Sequence, residues 1–302
     1  MKIIVTHISP DLDAICAIWI IKKFLPDWRD ANLKFVPAGE RLNGFINTNQ
    51  VIETNGRDEV IHVDTGLGTL DHHQSDSPKT CAASLACQYV AGKYVRANPE
   101  AVRHDKWKYK KEAMERMVKV VTEVDHFQEI AWQDPTNDHH DFGLLNILDG
   151  LKIEKPNDDK FYVNFGIQAF DALLHEFENK IWAEDEIKNN GTVFETRFGK
   201  GIGIGTINDE VVKLAQKMGY LIVVRKDPRK GYVRIKTRPN IEGNQNPVDL
   251  TSTYEELKRL DPQAKWFLHI SKKMLLNGSS KSPVARPTKL SLEDIIGVLE
   301  KI

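Results

Sequence analysis

The sequence predicts an α/β protein with a mainly parallel sheet in its N-terminal domain and a smaller α+β C-terminal domain. The chain opens with a strand, a turn and a helix, the repeating unit of α/β folds: an apolar run at residues 2–6 precedes apolar residues at helical spacing over residues 13–24. After Gly191, short strand-like runs alternate with helices. We therefore predict two domains, residues 1–190 and 191–302, as suits a chain of 302 residues.

Further elements follow in the N-terminal part. Residues 33–39 and 59–66 have the composition of strands, and residues 80–95 read as a helix with Thr80 as its N-cap. Long helices are predicted for residues 101–125 and 158–190, the second one ended by an Asn-Asn-Gly sequence. In the C-terminal part, glycine-punctuated and β-branched runs predict the strands of a mixed sheet.

Composition places the chain among ordinary globular proteins. Hydrophobic residues make up 41%, charged residues 28%, and the net charge is -1. A near-neutral chain is not a nonspecific binder of nucleic acid, and no apolar run is long enough to cross a bilayer. The three cysteines, Cys16, Cys81 and Cys87, lack the spacing of a metal knuckle and read as buried thiols. These features predict a cytoplasmic protein.

Carboxylate and imidazole side chains gather where predicted strands end, which is where open α/β sheets place ligands. The sequence places seven of them there, namely His7, Asp11, Asp13, Asp64, Asp71, His72 and His73. Oxygen and imidazole ligands without a thiolate favour Mn²⁺, with Mg²⁺, Co²⁺ and Fe²⁺ as competitors. The set is too large for one ion, so we expect two ions bridged by an aspartate.

The order of these residues resembles a known family. The pattern His7-x-x-Pro10-Asp11-x-Asp13, followed by Asp64 and then by Asp-His-His at residues 71–73, resembles the Asp-His-His (DHH) phosphoesterase superfamily. More loosely, the "VDTG" and "DHHQ" segments resemble the melanocyte-proliferating-gene branch of metal-dependent hydrolases, which is implicated in RNA processing. The resemblance implies a metal-binding catalytic domain and a smaller substrate-binding domain, with the active site in the cleft between them.

The resemblance also implies roles for individual residues. It divides the metal ligands into two overlapping sets, namely His7, Asp11 and Asp64 for one ion and Asp13, Asp64, His72 and a later aspartate for the other. Asp64 would bridge the ions, which would supply the nucleophile by lowering the pKa of a bound water. His73 would face the scissile phosphate and stabilise its developing charge. Asp71 would orient a histidine through its second ring nitrogen.

The later aspartate is open to choice. Asp125 ends an apolar run, as the family's fourth motif requires, and is preferred. Asp134, Asp138 and Asp141 are alternatives in a polar loop. His126, next to Asp125, is interpreted as a residue behind the ligands or on the surface.

Candidate substrate contacts lie in the C-terminal part. Arg234, Lys236 and Arg238 alternate along a predicted strand and would share one face, which suits phosphates. A solvated sheet face is the alternative interpretation. His269 and Ser271 end a later strand and resemble the late His-x-Ser segment of the melanocyte-proliferating-gene branch, which would contact substrate together with the loop that follows at residues 277–281. Otherwise His269 is a half-buried histidine with ordinary partners.

The sequence thus predicts a two-metal phosphoesterase acting on phosphodiesters or phosphomonoesters, with a nucleotide or short single-stranded RNA as its exonuclease-like substrate. One alternative is a pyrophosphatase or polyphosphatase, although the stretch "VVRKDPRKG" does not reproduce the compact basic clamp of those relatives. The other is a non-catalytic binding protein with the same fold. No membrane partner is expected, and a homodimer is left open.

Overall fold

The computed structural model of the protein describes residues 1–97, 100, 105–278 and 286–301. It is a mixed α/β protein with two mixed sheets. The chain divides into two compact units, Met1–Glu178 and Asn179–Ile302. The predicted boundary was the end of a long helix, whereas this division falls inside that helix. The reason is that the last turns of the helix belong to the second unit: Ala183 and Ile187 pack in a hydrophobic core with its strands.

Four short strands form the sheet of the first unit, namely β1 (Lys2–His7), β2 (Asn32–Val36), β3 (Glu53–Asn55) and β4 (Asp58–His62). Their order is β2-β1-β4-β3, in which β1 is parallel to β2 and β4 and β3 is antiparallel to β4. Because β1 and β4 are parallel neighbours, the residues that follow them meet at the same edge of the sheet.

Strand β3 was not predicted. It is joined to β4 by a two-residue turn in which Gly56 has φ +63°, a left-handed conformation that glycine adopts at no steric cost. The Asn55-Gly56 pair was the available signal, since this dipeptide is strongly favoured in short hairpin turns.

Five helices complete the described part of the first unit and lead into the second, namely α1 (Leu12–Phe24), α2 (Ala82–Ala97), α3 (Asp105–Asp125), α4 (Leu144–Glu154) and α5 (Asp159–Asn190). Single 3-10 turns lie at Gln128–Ala131 and His140–Phe142. No element was predicted for residues 144–154, where α4 lies, and the second turn begins in the polar loop that was predicted around residues 134–141.

Helix α1 is the centre of the first unit. Apolar residues surround it, and nearly all of its side chains are buried, as expected of a helix that is hydrophobic all round. Trp19 stacks on Phe170 of α5 with ring centroids 5.3 Å apart. A Cβ at Gly166 would lie 2.4 Å from Cγ2 of Ile15, so α5 approaches α1 closely at this glycine. The start of α1 is therefore held on a rigid support.

The described residues of the second unit form six strands and three helices. Its elements are β5 (Gly191–Thr196), β6 (Gly199–Gly205), α6 (Glu210–Lys217), β7 (Ile222–Lys226), β8 (Val233–Thr237), α7 (Thr251–Leu260), β9 (Trp266–Leu268), β10 (Met274–Asn277) and α8 (Leu292–Leu299). The strand order is β5-β6-β7-β8-β10-β9; β6 and β7 are parallel and the other neighbouring pairs are antiparallel.

Both faces of the second sheet are covered. Val223 of β7 packs with α6 and the end of α5, whereas its neighbours Ile222 and Val224 point to the core formed with α7 and α8, as the two-residue period of a strand requires. No helix in the described residues of either unit is long and apolar enough to cross a membrane.

Candidate metal centre

The turn between β1 and α1 supplies the first group of polar residues. His7 ends β1, and its Nδ1 lies 2.9 Å from the Ile8 carbonyl oxygen. Because a carbonyl oxygen can only accept, Nδ1 carries the proton of the neutral ring. Nε2 is then unprotonated and available as a metal ligand. Asp11 is the N-cap of α1 and accepts the Ala14 N–H at 2.9 Å. Asp13, in the first turn of α1, is only 1% exposed.

The chain that follows β4 places Asp64 at the same edge. Val63 still pairs with β1, donating its N–H to the Val5 carbonyl at 2.9 Å. Asp64 then adopts φ +52°, a left-handed conformation in which aspartate and asparagine are several-fold enriched. Its N–H donates to the Leu70 carbonyl at 2.9 Å, which closes the loop and brings residues 71–73 back beside Asp64.

Asp71 organises this loop. Its buried carboxylate accepts the N–H of Leu67 at 2.7 Å and the N–H of His73 at 3.1 Å. It also lies 2.7 Å from Nδ1 of His73. Because Nδ1 donates to Asp71, Nε2 of His73 is left for another partner, on a side chain that is 59% exposed.

Asp64 and His72 lie at the middle of the cluster. One oxygen of Asp64, Oδ2, lies 3.3 Å from Nε2 of His7, and the other, Oδ1, lies 3.5 Å from Nε2 of His72. The same His72 nitrogen lies 3.5 Å from Asp125 Oδ2 and 3.8 Å from Asp13 Oδ2. Asp64 is therefore shared by two neighbouring groups, His7–Asp11–Asp64 and Asp64–His72–His73, in each of which the ligand atoms lie within 4.8 Å of one another.

The residues fit a divalent cation. Asp64 Oδ1 and Asp125 Oδ2 are buried, and no donor among the described residues forms a hydrogen bond with either atom. Burying a carboxylate oxygen without a partner is costly, and the cost is removed when the oxygen binds a cation. The surrounding donors are carboxylate oxygens and imidazole nitrogens, a set that suits a hard or borderline ion.

Without an ion, protons carry the compensating charge. Burial opposes ionisation of Asp64, but its close contacts with His7 and His72 outweigh it and hold the pKa of Asp64 at about 2. Burial also opposes the charge on His7, yet its contact with Asp64 raises the His7 pKa to about 9. The contact of His72 with Asp64 likewise raises the pKa of His72 to about 9. Burial, with repulsion from Asp64, raises the pKa of Asp13 to about 8.

We expect the metal-free protein to lose stability as the pH rises from about 6.5 to about 9. The folded protein keeps protons on His7 and His72 up to a pKa of about 9, whereas the unfolded chain releases them near pH 6.5. Asp13 acts in the same direction up to its pKa of about 8. A divalent ion competes with these protons, so stabilisation by Mn²⁺ grows with pH.

This expectation is checked by melting temperatures across that pH range, with chelator and with Mn²⁺. The Asp64→Asn variant is the control, because it lacks the carboxylate that raises both histidine pKa values, and its slope in chelator should be flatter. If the melting temperature of the wild-type protein in chelator rose with pH instead, His7, His72 and Asp13 would not hold the protons assigned to them.

Asp13 has a second task at the start of α2. Its two oxygens accept the N–H groups of Ala82 and Ala83 at 2.7 and 2.8 Å. The prediction of Thr80 as N-cap was wrong, since α2 begins at Ala82 and the Thr80 hydroxyl donates to Ser77 instead. A carboxyl group from α1 thus replaces the local cap and satisfies two N–H groups that have no partner within the helix.

Asp125, the last residue of α3, lies in the cluster, whereas Asp134 and Asp138 are exposed in the loop that follows and Asp141 lines a separate cavity. His126 is also near: its Nε2 lies 3.6 Å from Asp125 Oδ2 and 2.9 Å from the Thr80 carbonyl. The carbonyl contact indicates that Nε2 carries a proton and orients the ring behind Asp125.

Sequence analysis missed a buried ionic group that supports the Asp64 loop. Arg41 pairs with Glu53 and donates to the carbonyl oxygen of Gly66 at 2.8 Å. Glu53 also contacts Nδ1 of His62 at 2.9 Å, and Nε2 of His62 accepts the Leu42 N–H at 3.0 Å. A Cβ at Gly66, which has φ +76°, would lie 2.5 Å from Arg41 Cγ. The arginine therefore fixes the backbone two residues after Asp64.

Apart from His73, the predicted substrate residues lie in the second unit. Arg234 and Lys236 occupy the partly exposed positions of β8, and Nη1 of Arg234 lies 3.2 Å from Asp209 Oδ2. Arg238, just after β8, donates to the Gln216 carbonyl at 3.3 Å. The two arginines therefore contact opposite ends of α6.

His269 and Ser271 lie in the turn between β9 and β10. Nδ1 of His269 is 2.8 Å from the Ser271 hydroxyl. Both side chains are therefore held by contacts within this turn. Residues 279–281 of the loop expected to follow lie outside the described residues.

No protein-family model and no curated protein matches the sequence. Among solved structures, the chain is similar to an uncharacterized protein from Helicobacter pylori G27 (12% identity, 99% of this chain and 98% of that chain, TM-score 0.24). It is also similar to the DHH domain of a protein described as a member of a ribosomal-protein family (10% identity, 99% and 85%, TM-score 0.30). A third is a pGpG-specific phosphodiesterase from Vibrio cholerae (13% identity, 93% and 94%, TM-score 0.23). TM-scores this low do not establish a shared fold. Evidence for the function therefore comes from the geometry of the Asp64 cluster.

Proposed function

We propose that the protein is a metal-dependent phosphoesterase that uses a pair of divalent ions. The observation that carries the proposal is the pair of buried carboxylate oxygens, on Asp64 and Asp125, that have no hydrogen-bond donor among the described residues. Asp64 lies between His7 and His72, with one oxygen toward each. A shared aspartate between two ligand groups is the arrangement by which two-metal hydrolases hold their ions.

The ions are proposed to be Mn²⁺, with Mg²⁺ or Co²⁺ as substitutes, because the donors combine aspartate oxygens with neutral imidazoles. The ligands would be His7, Asp11 and Asp64 on one side and Asp13, Asp64, His72 and Asp125 on the other. When bound, such a pair activates water and neutralises charge on a phosphoryl group. The protein contributes fixed positions for the ligands on α1, on the Asp64 loop and at the end of α3.

His73 is proposed to act on the substrate. Its Nδ1 donates to Asp71 at 2.7 Å, so Nε2 points away from the buried carboxylate and is the ring atom left for the substrate. A hydrogen bond from Nε2–H would stabilise charge that develops on the phosphoryl oxygens. Its exposed side chain and occupied Nδ1 favour this role over metal ligation.

The substrate is proposed to be a phosphodiester or phosphomonoester of a nucleotide or short single-stranded RNA. Because the net charge of the chain is only -1, binding of the substrate phosphates would depend on basic side chains that are clustered locally. Arg234 and Lys236 lie on one face of β8, and we propose that they contact substrate phosphates together with Arg238. His269 and Ser271 are proposed as further contacts.

We expect wild-type protein with Mn²⁺ to cleave a chromogenic phosphodiester and a short 5′-labelled RNA, and to lose this activity in chelator. The His73→Gln variant should retain both ions and lose activity by about 100-fold, because one charge-stabilising donor is removed. Metal content by elemental analysis and initial rates give the two readouts, and the product ladder gives the direction of attack.

His175→Gln is the matched control, because His175 is an exposed residue of α5; its rate should equal that of wild type. Hydrolysis that survives complete removal of metal would refute the proposal. Absence of cleavage of either substrate by a metal-loaded protein would also refute it and favour a pyrophosphate substrate or a binding protein.

A further inference from the structure

A shallow groove in the first unit is formed by residues at and just beyond the end of α3. It has a volume of about 520 Å³, and its walls include His126, Phe127, Gln128, Ile130 and Trp132. We call it the Phe127 groove. The side chains of Phe127 and Ile130 are 73% and 75% exposed, so a ligand in the groove touches both of them. An exposed aromatic ring in a groove suits a flat ligand, because offset stacking of rings is favourable.

The backbone that carries the Phe127 ring is held in place by its neighbours. Phe127 has φ +53°, a left-handed conformation that is unfavourable for a bulky side chain. Nε2 of His126 lies 2.9 Å from the Thr80 carbonyl oxygen, and Nε2 of Gln128 donates to the Pro78 carbonyl at 3.0 Å. Unfavourable backbone conformations persist where surrounding contacts enforce them, and they are concentrated at ligand sites. Little backbone freedom is left to be lost when a ligand contacts this ring.

Direct contacts connect the Phe127 groove to the candidate metal ligands. His126 lines the groove, and its Nε2 lies 3.6 Å from Oδ2 of Asp125. The ring of His126 also packs edge-on against the ring of His72, with centroids 5.8 Å apart. The thickness of one imidazole side chain therefore separates the groove from two of the proposed ligands.

We propose that the Phe127 groove binds the base of the nucleotide whose phosphate lies at the metal centre, by stacking of the base on the Phe127 ring. This rests on the proposed function for the phosphate half of the ligand. Every base has a π face, so stacking on an aromatic ring gains affinity for purines and pyrimidines alike. The donors beside the ring are already engaged, since the Gln128 amide donates to Pro78 and the Trp132 indole N–H donates to Glu123 at 3.3 Å. The groove therefore favours nucleotides over sugar phosphates without strong selection among the bases.

The test is calorimetric titration of the Mn²⁺-loaded protein with adenosine 5′-monophosphate, uridine 5′-monophosphate and ribose 5-phosphate, which share a phosphate and differ in the base. Both nucleotides should bind about tenfold more tightly than the sugar phosphate, as expected of one stacked base. Phe127→Leu keeps an apolar side chain but removes the ring, so both nucleotides should fall to the affinity of ribose 5-phosphate, which itself stays unchanged. Phe127→Trp should retain the preference for nucleotides.

Phe142→Leu is the matched control, because Phe142 is a phenylalanine of the same unit that is 88% exposed and lies outside the groove; it should bind all three compounds as wild type does. Wild-type protein that binds the nucleotides no more tightly than ribose 5-phosphate would overturn the base site even where phosphodiesters are cleaved. An unchanged preference in Phe127→Leu, or a gain confined to one base, would overturn it too. A gain for both nucleotides with no hydrolysis of any phosphoester would support the base site and refute the phosphoesterase.

Discussion

The Asp64→Asn variant is expected to lose phosphoester hydrolysis by about 1,000-fold and to bind fewer than two ions, because one neutral amide replaces the carboxylate shared by both ligand groups. Asparagine is the informative replacement. Asp64 has φ +52°, and asparagine tolerates this left-handed conformation, whereas alanine would add backbone strain to the loss of the ligand. Activity assays and metal stoichiometry by elemental analysis measure the two losses separately.

Asp76→Asn is the matched control, because Asp76 is exposed in the same loop region, five residues beyond Asp71. Its activity and metal content should equal those of wild type. An Asp64→Asn protein that binds two ions and turns over at the wild-type rate would refute the bridging role of Asp64.

The Arg41→Met variant is expected to be less stable by about 3–5 kcal/mol, the usual cost of breaking a buried ion pair. Glu53, which is 3% exposed, would keep its charge and lose the guanidinium that balances it. The carbonyl of Gly66 would lose its donor at the same time. The loop that carries Asp64 would then loosen, so metal affinity should fall together with stability. Chemical denaturation measures the first effect and calorimetric Mn²⁺ titration the second.

Two further variants separate charge from packing. Arg41→Met combined with Glu53→Gln should recover part of the stability, because it removes the unbalanced charge while the amide oxygen can still accept from His62. Arg57→Met, at an exposed arginine in the β3–β4 turn, should change stability by no more than about 0.5 kcal/mol. An Arg41→Met protein as stable as wild type would contradict a supporting role for the ion pair.

The elements that carry the candidate ligands could be predicted because their patterns are local. The apolar strand before His7 and the helix after Asp11 follow from periodicity alone, and parallel strands bring their carboxyl ends together whatever the residues. Asp125 was preferred for its place at the end of an apolar helix, and it lies in the cluster with His72.

Other features depend on residues that are distant in sequence and have no period. Arg41, Glu53 and His62 come from a loop and two strands, and nothing in the sequence announces that they touch. The cap on α2 comes from Asp13, about 70 residues earlier in the chain, so the local rule that favoured Thr80 failed. The chain divides inside α5 because the early and late turns of this helix pack against different units. The sequence of the helix alone does not indicate these neighbours.

The left-handed backbone at Asp64 bears on how this position would change over evolution. Only glycine, asparagine and aspartate occupy that conformation at low cost, so the turn itself restricts replacement here even where no ion is bound. A descendant that had lost catalysis would still be under pressure to keep a small polar residue at position 64. The helical position of Asp125 carries no such restriction, whereas Asp13 also caps α2. Substitution of Asp125 is therefore the more sensitive sign that a homologous sequence has abandoned its metal chemistry.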